Sequence, residues 1–354
     1  MKASLLIPCL LAATVTTAEP LKPAAWVPLP AVGSSPETGF QYGAYVMRIF
    51  AQSAPEQPQN RLEVLLQGTT EGQFQAYLWP NFFVDQGNWN IKGKVGGRYW
   101  PSGYFGQGNN TGDESDQYAN TTVEGSVTAN YLFTPSIRIG ISARAENHEI
   151  EDITDPEGTE STLLTNSVIG LNGGLYNGVG AEFIFDQRDN IDWPTQGQLA
   201  SLEWDIYTSS LGSDKDFSLL NLEAAQYLAI ADDVLAVSGQ FTLASDDTPF
   251  THLPRPSGDG TLRGANGNRW IDNTSIGIQT EYRKTLSSKW AAVGFLDTFQ
   301  VSPAIGDFSL TEFHYSIGAG VRFAMTPDRF NIRFDLGYVD LDSVSFAITV
   351  GEAF

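Results

Sequence analysis

Arg329-Phe-Asn-Ile-Arg-Phe-Asp-Leu-Gly-Tyr338 and Ser345-Phe-Ala-Ile-Thr-Val-Gly-Glu-Ala-Phe354 close the chain and decide its fold. In the first stretch Phe330, Ile332, Phe334, Leu336 and Tyr338 alternate with Arg329, Asn331, Arg333, Asp335 and Gly337. Side chains of a strand point alternately to opposite faces, so one face is apolar and the other charged. The second stretch places Phe346, Ile348, Val350 and the terminal Phe354 on one face. A soluble sheet can carry this pattern. Together with an amino-terminal export signal and an aromatic carboxy-terminus, it favours a barrel with lipid outside and a polar lumen.

The export signal spans residues 1–18. Met1-Lys begins a basic start, Leu5 to Ala13 form an apolar middle, and Ala18 is a small residue before Glu19, as expected of a cleavable secretory peptide. It is too short to cross a bilayer as a helix. The sole cysteine, Cys9, falls inside it, so the mature chain is expected to form no disulfide. Leu6-Ile-Pro-Cys9 is a poor lipidation box because of Pro8. Residues 19–354 are assigned to the barrel.

Composition narrows the class. Of 354 residues 42% are hydrophobic, yet no later run approaches the eighteen or so apolar residues of a membrane helix. Only helices and closed barrels satisfy their backbone groups in lipid, so a membrane location requires a barrel. The 35 glycines and 12% aromatics suit tight turns and interfacial girdles. A net charge of -21 excludes nucleic acid as a partner, because a binder must neutralise phosphates with Lys and Arg. The acidic excess is read as solvated loops, as in Asp113-Glu-Ser-Asp116 and Glu149 to Glu160.

Strand-like segments follow one another from Gly39 to Phe354, separated by Gly, Asn, Asp and Pro, with no convincing helix. A short first strand around Trp26 to Val32, broken by Pro28 and Pro30, brings the count to about sixteen. An even count suits single-chain bacterial barrels. The fold class is therefore all-β, a transmembrane antiparallel β-barrel.

Several motifs then point to a family. Asp186-Gln-Arg-Asp-Asn190 with Trp193-Pro-Thr-Gln-Gly197 resembles the D-x-R-D-(N/S)…P-T-x-G hairpin of the BamA/TamA superfamily, the bacterial surface antigen barrels; Asp186, Arg188, Asp189, Asn190, Pro194 and Gly197 carry the match. In the same order, Ser35-Pro-Glu-Thr-Gly39 resembles the turn after the first barrel strand. Tyr104-Phe-Gly-Gln-Gly-Asn109 is similar to the F-Y-G-x-G-N loop, and Leu262-Arg-Gly264 to the V-R-G-(F/Y) tip of a long extracellular loop. The resemblance implies that this loop folds inward and that Arg263, beside Gly264, meets Glu281 and Asp297 as a structural lock. Ala265 stands where the family has an aromatic, and Phe299 where it has glycine, so a looser lock is expected. Between Glu19 and Trp26 there is no room for the periplasmic polypeptide-binding domains of assembly-active members, so a barrel alone is expected.

No catalytic, cofactor or metal residues are expected. His148, His252 and His314 are read as isolated, without metal-ligand spacing or a triad pattern. The resemblance implies a Gram-negative outer-membrane protein, Phe354 an assembly signal for the barrel assembly machinery, and outer-membrane lipids and client proteins as partners. Two functions stay open: membrane biogenesis, by insertion or translocation through a lateral seam that Pro28 and Pro30 weaken, or a passive pore or structural surface antigen.

Overall fold

The computed structural model describes residues 21–35, 37–54, 57–152, 167–256, 260–326 and 329–354. Residues 1–18, read from the sequence as an export signal and containing Cys9, lie outside them, as do Pro36 and residues 153–160 of the acidic stretch. Among the described residues no helix is long and apolar enough to cross a membrane.

One antiparallel sheet closes on itself. Its first stave is broken into β1 (Ala25–Pro30) and β2 (Gly33–Ser35), both paired with β3 (Gly39–Ile49). Next come β4 (Arg61–Thr69), β5 (Phe74–Val84), β6 (Trp89–Tyr104), β7 (Asp116–Thr134) and β8 (Ile137–Asp152). The sheet continues through β9 (Gly174–Asp186), β10 (Gly197–Tyr207), β11 (Phe217–Ile230), β12 (Asp233–Ala244) and β13 (Thr274–Thr285). It ends with β14 (Trp290–Ser302), β15 (His314–Ala324), β16 (Asn331–Val339) and β17 (Ser343–Val350). Each strand pairs with the next, and β17 returns to β2, so seventeen segments make sixteen staves. One end carries both termini of the barrel; the other carries the longer loops, above all residues 245–273.

Alternation decides which side chains fill the inside. On β8, Ile139 and Ile141 are exposed outward while Ser142 and His148 are buried. On β13, Ile278 and Tyr282 face out, and Gln279, Glu281 and Arg283 are almost fully buried. Trp89, Trp204 and Trp290 lie on the outer face, an arrangement suited to lipid and its interfaces. Inside, opposite charges pair along the wall between nearby strands, as in Lys92–Glu182 at 2.8 Å, Lys94–Glu124 at 2.7 Å and Arg144–Asp205 at 2.8 Å.

Two closing aromatics depart from the alternation. Phe330 precedes β16 and packs inside with Tyr45, Met47 and Ile49, because Arg329 takes a left-handed φ of 62° that reverses the chain before the strand begins. Phe354 does not share the outer face of Phe346. Gly351, at φ 77°, turns the last residues off β17 and into the barrel, where Phe354 packs near Tyr227, its ring 6.3 Å away.

Candidate functional site: the lumen network and the seam

The long loop descends into the lumen, and its tip is anchored there by charge. Arg263 donates from Nε and Nη2 to the two oxygens of Asp297, each at 2.8 Å, and from Nη1 to Glu281 Oε2 at 2.5 Å. Its backbone N–H adds a bond to Asp297 at 3.1 Å, and the guanidinium lies 3.6 Å from the Phe295 ring centroid. All three ionic groups are essentially inaccessible to solvent. A planar guanidinium fork matches a carboxylate in two-pronged geometry, and lysine could not reproduce it.

The sequence reading left out a second layer of this network. Glu281 also accepts from Arg283 at 2.7 Å and Arg322 at 3.2 Å. Arg322 continues to Asp335 at 2.6 Å and to Glu352 at 2.8 Å, and Arg333 contacts Asp335 at 3.3 Å. Four arginines (263, 283, 322, 333) thus face four carboxylates (281, 297, 335, 352), so the buried cluster is charge-balanced. Inward alternation on β15 and β16 marks Arg322 and Asp335 as luminal. It does not say that Glu352, beyond the strand end, turns back to join them.

Gly264 seats the loop tip against the last staves. Its φ is 94°, and a Cβ there would come within 2.5 Å of Ser345 Oγ; a Cβ on Gly337 would meet the Arg263 carbonyl at 2.5 Å. Ser316 donates to that same carbonyl at 2.5 Å. Ala265 and Phe299 share one cluster with Leu262, Trp270, Val301 and Val339, so both departures from the family pattern fall in the same packed core.

The motif hairpin, 187–196, crosses the end of the barrel that bears the termini. Asp186 pairs with Arg188 at 2.8 and 2.9 Å, while Asp189 accepts from the Thr195 hydroxyl and amide at 2.5 and 2.9 Å. Asn190 Oδ1 accepts from the amides of Asp192 and Trp193. Gly197, at φ 102°, sits so close to the Gln187 carbonyl that a Cβ would fall 2.1 Å from it. Asp192, outside the motif, forms a two-pronged pair with Arg61 of β4 at 2.9 and 3.0 Å. Trp193 is buried beneath Arg283 and Arg329, and the Pro194 carbonyl accepts from Arg283 at 3.3 Å. The hairpin and the terminal residues together form a floor.

The seam between the last and first staves is thin. Only Phe346↔Ser34 and Ala347↔Gly33 pair there, against eight pairs between β16 and β17. One further bond runs from Ile348 N–H to the Val32 carbonyl at 3.2 Å. Ala31 donates to Gly43 of β3, so successive residues place their backbone groups towards β3 and β17 in turn. Pro28 and Pro30 therefore fall on the β17 side, where the ladder lacks their donors. A cavity of about 840 Å³ lies inside the seam, lined among others by Leu29, Pro30, Gly264, Ala347 and Thr349.

A sequence model of the Omp85 superfamily domain matches residues 62–354. The chain belongs to the Omp85 superfamily. Its fold is similar to BamA from Haemophilus ducreyi lacking POTRA domains 1–3, at 13% identity and a TM-score of 0.61, covering 92% of this chain and 70% of that one. It is also similar to CdiB from Acinetobacter baumannii, at 10% identity and a TM-score of 0.59, covering 92% and 59%. No curated protein matches the chain. The Omp85 barrel is accordingly an outer-membrane protein of a superfamily concerned with membrane biogenesis and translocation.

Two other quoted motifs of this Omp85 barrel meet the long loop. Glu37, in the first turn, accepts from Trp100, Ser102 and the Gly267 amide. Gly108 bonds to the Ile271 carbonyl at 2.8 Å, and Asn109 joins Val301 and Glu312. The histidines require a correction. His148 and His252 are not isolated: the fold brings both against Glu146, at 3.3 and 3.2 Å. His314 lies apart from them, bonded to Asp340 at 2.8 Å. Sequence spacing could not reveal the first pair, because the residues stand 104 positions apart and meet only when the loop folds inward.

Proposed function

We propose that this barrel serves outer-membrane biogenesis without enzymatic chemistry, inserting or translocating other polypeptides through a lateral opening between β17 and the broken first stave. The observation that carries the reading is the seam's two paired residues beside two prolines. A stave facing lipid with unpaired backbone groups is costly, and a client strand that adds to the free edge removes that cost. The cavity behind the seam, lined by both apolar and polar side chains, gives such a strand room on the inner side, and the Arg263 lock holds the loop tip against β16 and β17, which frame the opening. Outer-membrane lipids and client chains are the partners this reading requires. Residues 1–18 act as the export signal, and Phe354 is the assembly signal presented to the barrel assembly machinery before it folds inward.

The test is photocrosslinking in living cells from a probe at Ser34 and, separately, from one at Trp204 on the opposite wall. Nascent outer-membrane chains should be trapped from Ser34 and not from Trp204. Equal trapping from both, or none from either, favours a passive pore or a structural surface antigen.

A further inference from the structure

We propose that Glu146, His148 and His252 form a binding site for a divalent transition metal of the zinc class, which fastens the inward loop to the barrel wall. Glu146 and His148 stand two apart on β8 and therefore share its inner face. His252 comes from the single turn Phe250–His252 of the long loop. The Nε2 atoms of both rings converge on one carboxylate oxygen, Glu146 Oε2, at 3.3 and 3.2 Å, and the ligand atoms of all three residues lie within 4.8 Å of one another. Tetrahedral ligands about 2.0–2.1 Å from zinc stand roughly 3.3 Å apart, so an ion can enter with small movements of the side chains. Two imidazoles and a carboxylate leave a fourth position for water.

The surroundings fit ligands held in place. His148 Nδ1 lies 3.4 Å from the Thr122 hydroxyl and 3.2 Å from Asn120 Nδ2, and metal at Nε2 requires the Asn120 amide to turn its oxygen to the Nδ1–H; His252 Nδ1 lies 3.0 Å from the Thr251 hydroxyl, which can accept from it. Tyr207 donates to the other Glu146 oxygen at 2.8 Å. Such outer partners fix the orientation of ring and carboxylate and tune metal affinity. Tyr176, Tyr207 and Phe217 pack around His252 with ring centroids 5.1–5.6 Å away, a dry wall that strengthens ionic bonds to the ion. Both imidazoles are buried, while Glu146 keeps 15% of its side chain exposed, enough for a path to the ion. The same geometry without metal is a pair of imidazole N–H groups donating to Glu146, and the experiment separates the two.

The full barrel, purified in detergent and stripped with a chelator, is titrated at neutral pH with Zn²⁺ and, in parallel, with Co²⁺, whose visible spectrum reports tetrahedral coordination. One ion per barrel should bind at micromolar concentration, with a rise in the unfolding temperature. His252→Gln should abolish both. Tyr207→Phe should keep the stoichiometry and weaken binding about tenfold. Heat-modifiable migration checks that each variant has folded; if His148→Asn fails to fold, His252→Gln and the Co²⁺ spectrum still decide. No binding by the wild-type barrel, or unchanged binding in His252→Gln, overturns the proposal.

Discussion

Arg263 concentrates the chemistry of the lumen at one side chain. Removing one partner from a buried ion pair strands the remaining charges, at a cost of roughly 3–5 kcal/mol. Arg263→Ala should therefore lower barrel stability by about that amount, read from urea unfolding in detergent. Asp297→Ala in the Arg263→Ala background should add little, because the pair is already gone; fully additive losses would contradict the coupling. Arg263→Lys should recover only part of the loss, since a point charge cannot grip both oxygens of Asp297. Gly264→Val combines a left-handed φ with a clash near Ser345, so it should reduce the heat-modifiable folded fraction. The meeting of Arg263 with Glu281 and Asp297 was legible only through the family resemblance at Leu262-Arg-Gly264, with alternation placing Glu281 on the luminal face. Arg322, Asp335 and Glu352 were not, because alternation tells which face a residue takes but not its depth or its partner across the lumen.

Elements were legible where a single period governs them. The count of about sixteen staves matches the observed sheet, and two departures from the alternation fall where the period stops: the reversal at Arg329 carries Phe330 inside, and the bend at Gly351 does the same for Phe354. The hairpin offers a pH test. Partial burial pushes the Asp189 carboxyl up, but hydrogen bonds from the Thr195 hydroxyl and from the Thr195 and Gln196 amides outweigh it and hold the carboxyl below its ordinary value. A lowered native pKa contributes stability above the unfolded value, near 3.9, that is lost as pH falls through the native one. Below about pH 4 the amides of Thr195 and Gln196 should thus exchange faster relative to those of β9, a change absent in Asp189→Asn. Deleting Phe354 should slow assembly and leave degraded unassembled chain; normal levels of folded barrel would contradict its role as a signal.

The whole molecule is a closed barrel whose lumen is crossed by the inward loop and its ion pairs, with a cavity left behind the seam, and whose closure is uneven. The loop tip presses on β16 and β17, the hairpin and the terminal residues cover one end, and the joint between β17 and β2 is held by few bonds. Sequence periodicity showed that the sheet must close, since lipid tolerates no free edge. It could not show how many pairs would join first stave to last, because that register depends on where the prolines leave the ladder. Locking this joint tests the account most directly. Residues 34 and 346 face each other as a hydrogen-bonded pair, with Cα atoms about 5.5 Å apart, within disulfide reach. Cells whose only copy carries Ser34→Cys with Phe346→Cys should lose outer-membrane integrity when the pair is oxidised and recover it on reduction, with each single substitution harmless. Equal integrity with the joint locked and unlocked would contradict lateral opening as the working step of this barrel.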